Sequence, residues 1–162
     1  MSNTHILAAR IHGLYFGENW TSVHLQGLLH DIPLSAAMHQ IGGANTILAL
    51  AYHLHYYTKA QLDVLRGGTL NADDQRSFAH PEIVQDEEWN AFRETIWAEA
   101  REYCERVRQL DEATLDMPFV EERYGTYRSN IAGNIDHAYY HLGQISMLRR
   151  LIRAAGDGLS VQ

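Results

Sequence analysis

The chain is short of basic residues. Only 13 lysines and arginines stand against 20 aspartates and glutamates, a formal charge of -7 over 162 residues. A nucleic-acid footprint needs a concentrated basic face, so nucleic acid is not expected as a partner. The one basic cluster, Arg149, Arg150 and Arg153, falls near the end of the last helical run, where positive charge complements the helix macrodipole. Cysteine is nearly missing as well. Cys104 is alone, so no disulfide can form within the chain. Its setting, Glu102-Tyr103-Cys104-Glu105-Arg106, places carboxylates beside the thiol, which raises its pKa and predicts a structural residue. No run of 18 apolar residues and no signal-peptide pattern occurs, so no membrane partner is expected and a reducing cytoplasm is the default location.

Apolar residues make up 46% of the chain and charged ones 20%, which suits one soluble globular domain over residues 1–162 and excludes wholesale disorder. No stretch sustains the two-residue alternation of a strand, and no repeat or linker divides the chain. Helical spacing is frequent instead. Ile6, Leu7, Ile11, Leu14 and Tyr15 predict a helix from Thr4 to Phe16, with Asn3 or Thr4 as its cap. Gly17-Glu18-Asn19-Trp20-Thr21 interrupts it, and a second piece runs from Ser22 to Asp31, leaving one bent helix or two open. Pro33 ends that piece, because a residue before proline avoids the helical region. Leu34 to Gly43 reads as a short helical turn and loop.

Asn45 or Thr46 then caps a helix from Ile47 to about Arg66, which Gly67-Gly68 terminates. Residues 69–85 form the longest loop, of a length that is often functional. A third long helix opens at Asp86 or Glu87 and reaches about Leu110, with Trp89, Phe92, Ile96, Trp97, Tyr103 and Val107 on its apolar face. A fourth runs from about Arg128 to Ala155, with Gly156 and Gly158 after it. Four long helices without strands predict an all-α four-helix bundle, its topology left open by the connections 69–85 and 111–127.

Ten histidines are present, and two of them, His137 and His141, sit one turn apart on the fourth helix, so they share a face. Chance alone supplies about 0.6 such pairs at this histidine content, so the spacing needs support from its surroundings. On the second helix, His53 shares a stripe with Leu50, Tyr57 and Val64 and is the inward-facing candidate. His55 shares a stripe with Lys59 and is expected on the solvent side. His53, His137 and His141 together offer three neutral imidazoles that leave positions open on a divalent ion. A zincin is excluded, because Ala138 stands where His-Glu-x-x-His needs glutamate. A ferritin-like di-iron centre is excluded too, since none of the eleven glutamates is followed by histidine three residues later.

No catalytic residue is identified by these patterns. Asp136, Tyr139 and Tyr140 flank the pair but point elsewhere. Gln144 lies on the stripe of His141 and suits either support of that ring or a packing role. Tyr57, one turn from His53, either lines a pocket or fills the core, and Trp20 is similarly ambiguous. The other histidines, His5, His12, His24, His30, His39, His55 and His80, share no face; His80 sits in the long loop, which can fold over a site at the end of a bundle.

The segment His137-Ala-Tyr-Tyr-His141-Leu-Gly-Gln-Ile145 resembles the His-x-x-x-His-x-Gly-Gln-Ile signature of the DinB-like (DinB/YfiT) family. The second helix is similar as well: an apolar run from Ile47, then His53, the pair Tyr56-Tyr57 and the ending Leu65-Arg-Gly67. Trp20 and Gly125-Thr126-Tyr127 also fit the family pattern. The resemblance implies an up-down-down-up four-helix bundle, often dimeric, with His53, His137 and His141 as ligands of one divalent metal ion. Nickel or zinc is the usual metal implied, with iron or manganese less often. It further implies a metal-dependent enzyme of the thiol S-transferase or hydrolase type, acting on a small-molecule substrate with a low-molecular-weight thiol. The alternatives are a non-enzymatic metal-binding or stress-associated bundle, and a helical interaction module whose histidines are core residues.

Overall fold

The structure, a computed structural model, describes residues 2–156. It is all-helical: α1 (Asn3–Phe16), α2 (Leu25–Leu29), α3 (Leu34–Ala37), α4 (Ile47–Leu65), α5 (Asp86–Gln109) and α6 (Tyr127–Gly156), with 3-10 turns at Asp74–Arg76, Glu112–Asp116 and Glu122–Tyr124. Four of these helices are long. Among the described residues no strand forms; Pro118 and Thr126 make a single isolated bridge. Gly158 lies outside the described residues.

The helix ends follow local chemistry. Ser2, one residue earlier than expected, caps α1 by accepting from the His5 N–H, and Glu112 takes the Thr4 N–H at 2.9 Å. Gly17 then closes α1 at φ 114°, a conformation that a Cβ resists. The expected helix over 22–31 shrinks to Leu25–Leu29, whose first turn His24 caps through Gly27 N–H at 3.1 Å, so the early region is two helices and not one bent helix. Thr46 caps α4 through Ala49 N–H at 3.1 Å. At its other end Gly67 (φ 89°) allows its own N–H to reach Val64 O and that of Gly68 to reach Asp63 O, ending the helix with its last carbonyls paired. Glu88 reaches back to the N–H groups of Val84 and Gln85 at the start of α5.

Contacts between the long helices fix their directions. Along α1 and α5 the pairs run in opposite senses: Phe16 meets Trp97 and Ala8 meets Cys104, and Thr4 meets Glu112 in the turn that follows α5. Along α4 and α5 they run together, with Tyr52 on Phe92, His55 on Glu99 and Gln61 on Tyr103. Between α4 and α6 they oppose again, with His53 facing His137, Thr58 facing Asn134 and Gln61 facing Asn130.

The core is continuous across these helices. Trp89 is fully buried and donates its indole N–H to Ile32 O at 2.9 Å, so its polar atom is satisfied where water cannot reach. On α6 the buried residues Ile131, Ile135, Ala138, Leu142 and Ile145 recur every three or four positions. Each large apolar side chain buried this way contributes about 1.5–3 kcal/mol, which sets the rotation of the helix. His137 and His141 each precede a buried residue by one position, so that rotation carries both to the edge of the stripe that faces α4.

Cys104 is buried and gives its thiol hydrogen to Ala8 O at 3.4 Å. Its pKa is pushed up to about 11, chiefly by burial, with Glu105 adding to the rise and Arg108 opposing it. It is structural, as its sequence context suggested, although loss of hydration outweighs the neighbouring carboxylate. Two arginines of the C-terminal cluster are structural as well. Arg149 and Arg153 share Asp31 at 2.6 Å each, and Arg149 also donates to Gly27 O and Leu28 O, which ties α6 to α2. No helix of the described residues is long and apolar enough to cross a membrane.

Candidate metal centre

Two helices and one loop build the site. From α4 comes His53, 5% exposed, and from α6 come His137, half-buried, and His141, 8% exposed. Their nearest ring nitrogens all lie within 4.8 Å of one another, and among the described residues this is the only such cluster of three or more histidine, cysteine or carboxylate groups. Nε2 of His137 is 3.1 Å from Nε2 of His53 and 2.9 Å from Nε2 of His141. Two nitrogens, each about 2.1 Å from one ion, stand about 3.0 Å apart at a right angle and about 3.4 Å apart at the tetrahedral angle, so the donor set fits a single ion.

The protons support the same fit. Nδ1 of His53 faces Ser77 O at 3.3 Å, and Nδ1 of His141 faces Gln144 Oε1 at 2.7 Å. Both partners accept, so each ring carries its hydrogen on Nδ1 and leaves a lone pair on Nε2. Both lone pairs are aimed at His137 Nε2, which has at most one hydrogen to share between them. Further protons are disfavoured. The pKa of His53 is pushed down to about 4 by burial first, and then by His141 and His137; that of His137 is lowered by burial and by His141. Nitrogen lone pairs therefore converge with too few hydrogens to satisfy them, an arrangement that could hold a divalent cation. Three neutral imidazoles would leave the ion its full charge, the property of a Lewis acid.

The long loop completes the surroundings. Phe78 stacks on His53 with centroids 3.8 Å apart and planes 8° from parallel. Tyr57 stands edge-on to both His53 (5.1 Å) and His137 (5.3 Å) and donates to Asp74 Oδ1 at 2.5 Å. Tyr57 is thus half-buried beside the histidines and not in the core. Tyr56 accepts the Asp73 N–H at 2.7 Å, so both tyrosines anchor the loop. A cleft of about 350 Å3 reaches His137 between Tyr57, Gln61, Asn130, Gly133 and Asn134. Behind the histidines, Thr58 Oγ1 bonds the Tyr15 hydroxyl at 2.7 Å and accepts from Asn134 Nδ2 at 3.2 Å, which joins α1, α4 and α6 in one buried network.

Every sequence-derived candidate is therefore accounted for. His53, His137 and His141 come together, Gln144 holds His141, and Tyr57 lines the cleft. Asp136 is exposed and paired with Arg10 at 2.9 Å, Tyr139 is half-buried against the core, and Tyr140 is exposed, although its ring leans on His141 with centroids 4.9 Å apart. Trp20 is fully exposed. His5, His12, His30 and His39 are exposed, His24 caps α2, and His80 packs edge-on against Tyr52. His55 corrects the expectation: it is buried, not on the solvent side, because α5 packs over it and brings Glu99 Oε2 within 3.2 Å of its Nε2. Sequence spacing missed Ser77, Phe78 and Asp74, whose one signal was an aromatic residue inside a long polar loop. Comparison with known protein families, curated proteins and solved structures gave no match.

Proposed function

We propose that the protein is a metal-dependent enzyme of the DinB-like type, with His53, His137 and His141 as ligands of one divalent ion, nickel or zinc before iron or manganese. The convergence of three Nε2 atoms whose rings are oriented by Ser77 and Gln144 carries this reading. The helix directions support an up-down-down-up four-helix bundle: α5 opposes α1, α4 runs with α5, and α6 opposes α4. The sequence signature around His137 and His141 adds the family assignment.

The reaction in this reading is a thiol S-transfer or a hydrolysis on a small-molecule electrophile. Held by His53, His137 and His141, a divalent ion would supply Lewis acidity that lowers the pKa of a thiol or water. The chain's own residues do the rest. Ser77 and Gln144 keep two Nδ1 hydrogens in place, Phe78 shields His53 from water, and the polar cleft at Tyr57 and Asn134 receives the substrate. Its partners are that substrate, a low-molecular-weight thiol and a second copy of the chain.

Elemental analysis after stripping and reloading tests the site, with one ion per chain expected and none in the combined His53→Ala, His137→Ala and His141→Ala variant. Metal content that survives all three substitutions sinks the reading. Electrophiles screened with glutathione, bacillithiol or mycothiol then test the chemistry; a loaded protein with no metal-dependent turnover across that panel argues against the transferase.

A further inference from the structure

Packing accounts for two of the three clustered arginines on α6 and leaves the third over. Arg149 and Arg153 share the two oxygens of Asp31, and Arg149 also holds two carbonyls of α2. The macrodipole acts within the last helical turn, which carries Arg153 alone. Arg150 is exposed, and among the described residues it has neither an ion pair nor a hydrogen-bond partner. Arg153 stands three residues from Arg150 and four from Arg149, spacings at which like charges weaken a helix.

All three arginines line one cleft of about 360 Å3 between α2 and α6, and His24 lines it with them. Three guanidiniums against the one carboxylate of Asp31 leave two positive charges there, on a chain whose formal charge is -7. His24 adds a donor. Its Nδ1 accepts the Gly27 N–H at 3.1 Å, so the ring hydrogen sits on Nε2, for which the described residues supply no acceptor. A Cβ at Gly27 would stand 2.8 Å from that nitrogen, so glycine there keeps it uncovered. A second groove of about 280 Å3 continues from the first. Val23, Ser146 and Arg150 line both, and Leu142 and Met147 add apolar wall to the second.

We propose that this cleft binds a phosphate monoester carrying a short apolar body. Its phosphate lies among Arg150, Arg153 and His24, and its body lies along Val23, Leu142 and Met147. The two uncompensated positive charges match a phosphate monoester, which carries close to two negative charges above its second pKa of about 6. A carboxylate would bring one charge and two oxygens, too few for the donors that converge. The guanidinium fork fits phosphate oxygens in pairs, which suits arginine rather than lysine at 150. The histidine cluster is a separate site: His137 and His141 face α4, whereas Arg149 faces α2.

Isothermal titration calorimetry on the full chain tests the proposal, with hexyl phosphate, inorganic phosphate and hexanoate as probes. Hexyl phosphate should bind once per chain with a dissociation constant below about 1 mM. Inorganic phosphate and hexanoate should each bind about tenfold more weakly or worse. Arg150→Gln should weaken hexyl phosphate by about tenfold and leave the melting temperature unchanged, because the side chain is exposed and holds nothing else. Met147→Ser should narrow the gap between hexyl phosphate and inorganic phosphate. No binding of hexyl phosphate at about 10 mM overturns the proposal. So does a chain that ignores hexyl phosphate but floats with phosphatidylcholine vesicles containing phosphatidic acid, since the phosphate recognised is then a membrane surface. Binding that survives Arg150→Gln but is lost in the combined His53→Ala, His137→Ala and His141→Ala variant overturns it too, by placing the phosphate at the histidines. Arg150→Gln leaves those histidines intact, so this test and the metal measurement fail separately.

Discussion

His53 on α4 and His137 on α6, eighty-four residues apart in sequence, bring their Nε2 atoms to 3.1 Å across the helix interface. His137 Nε2 has at most one hydrogen for two neighbouring imidazoles, so at one of its two contacts lone pair opposes lone pair. A cation between them should therefore act as a cross-link between α4 and α6. At a free concentration 100 times its dissociation constant, a bound ion stabilises the fold by about 2.7 kcal/mol. For a domain of this size that is a rise of roughly 5–10 °C in melting temperature. Differential scanning calorimetry with and without nickel or zinc reads it directly, and the rise should vanish in His53→Ala.

Gln144 makes a sharper prediction, since it touches the ion only through His141. Its Oε1 lies 2.7 Å from His141 Nδ1 and keeps the hydrogen there. Removing such a partner lowers metal affinity by about 10- to 100-fold. Gln144→Ala should show that loss, whereas Gln144→Glu, a stronger acceptor in the same place, should bind at least as tightly as the wild type. Competition titrations with a chromophoric chelator separate the two, and equal affinities for Ala and Gln at this position would remove Gln144 from the site.

Phe78 covers His53 face to face at 3.8 Å. Phe78→Ala should let water and chelators reach the ion, so extraction by EDTA should speed up several-fold while stoichiometry stays at one. An unchanged extraction rate would mean that the ion leaves by the cleft at Tyr57 instead.

The legible part of this molecule was whatever spacing along a helix decides. The pair His137 and His141 needs only a rise of one turn, and the stripe of Leu50, Tyr57 and Val64 sufficed to turn His53 inward. Spacing gives an angle about one axis and says nothing of what lies across it. His55 shows the limit. Lys59 shares its stripe and is exposed, yet α5 closes over His55 one turn earlier and buries it against Glu99 and Phe92. The loop residues failed differently. Ser77 joins the site through a backbone carbonyl, which has no sequence signature, and Phe78 is placed by anchors on Tyr56 and Tyr57 that only the folded chain brings together. Likewise Asn19 holds its loop by bonds to Gly13 and Val23, and the expected helix over 22–31 gave way to a short one because His24 caps it late.

Thr58 tests the buried network behind the histidines. Its hydroxyl serves both Tyr15 and Asn134, and all three side chains are buried. Burial and the neighbouring Cys104 hold the Tyr15 phenol up at about 12, the Thr58 bond opposing them, so it stays neutral at any ordinary pH. Thr58→Val keeps the volume but strands two buried polar groups, at a cost of roughly 1–3 kcal/mol. Urea denaturation should show the loss with an unchanged slope. Because Asn134 sits one turn before His137, metal affinity should fall as well, which a purely local packing defect would not produce.

His55 predicts how stability depends on pH. Its pKa falls from 6.5 to about 4, through burial first and then Lys59, with Asp63 opposing. Glu99 Oε2 is within 3.2 Å, yet neither that oxygen nor His55 Nδ1 has a hydrogen-bond partner, so the carboxylate lies off the N–H direction and burial decides the shift. The unfolded chain takes a proton on this ring below about pH 6.5 while the folded chain refuses it until about pH 4. The contribution is therefore intact above 6.5, declines as the pH falls through that window, and is gone below about 4. One group with this shift accounts for roughly 3 kcal/mol. Urea titrations at several pH values, with EDTA present to keep the histidine cluster free of metal, should give a stability that falls with pH across the window. His55→Leu should make that fall shallower, leaving the part due to His53 and His137, whose pKa values are lowered in the same direction. Identical slopes in the two proteins would mean that His55 titrates in the fold as it does in the unfolded chain, with Glu99 accepting its proton after a small shift of α5.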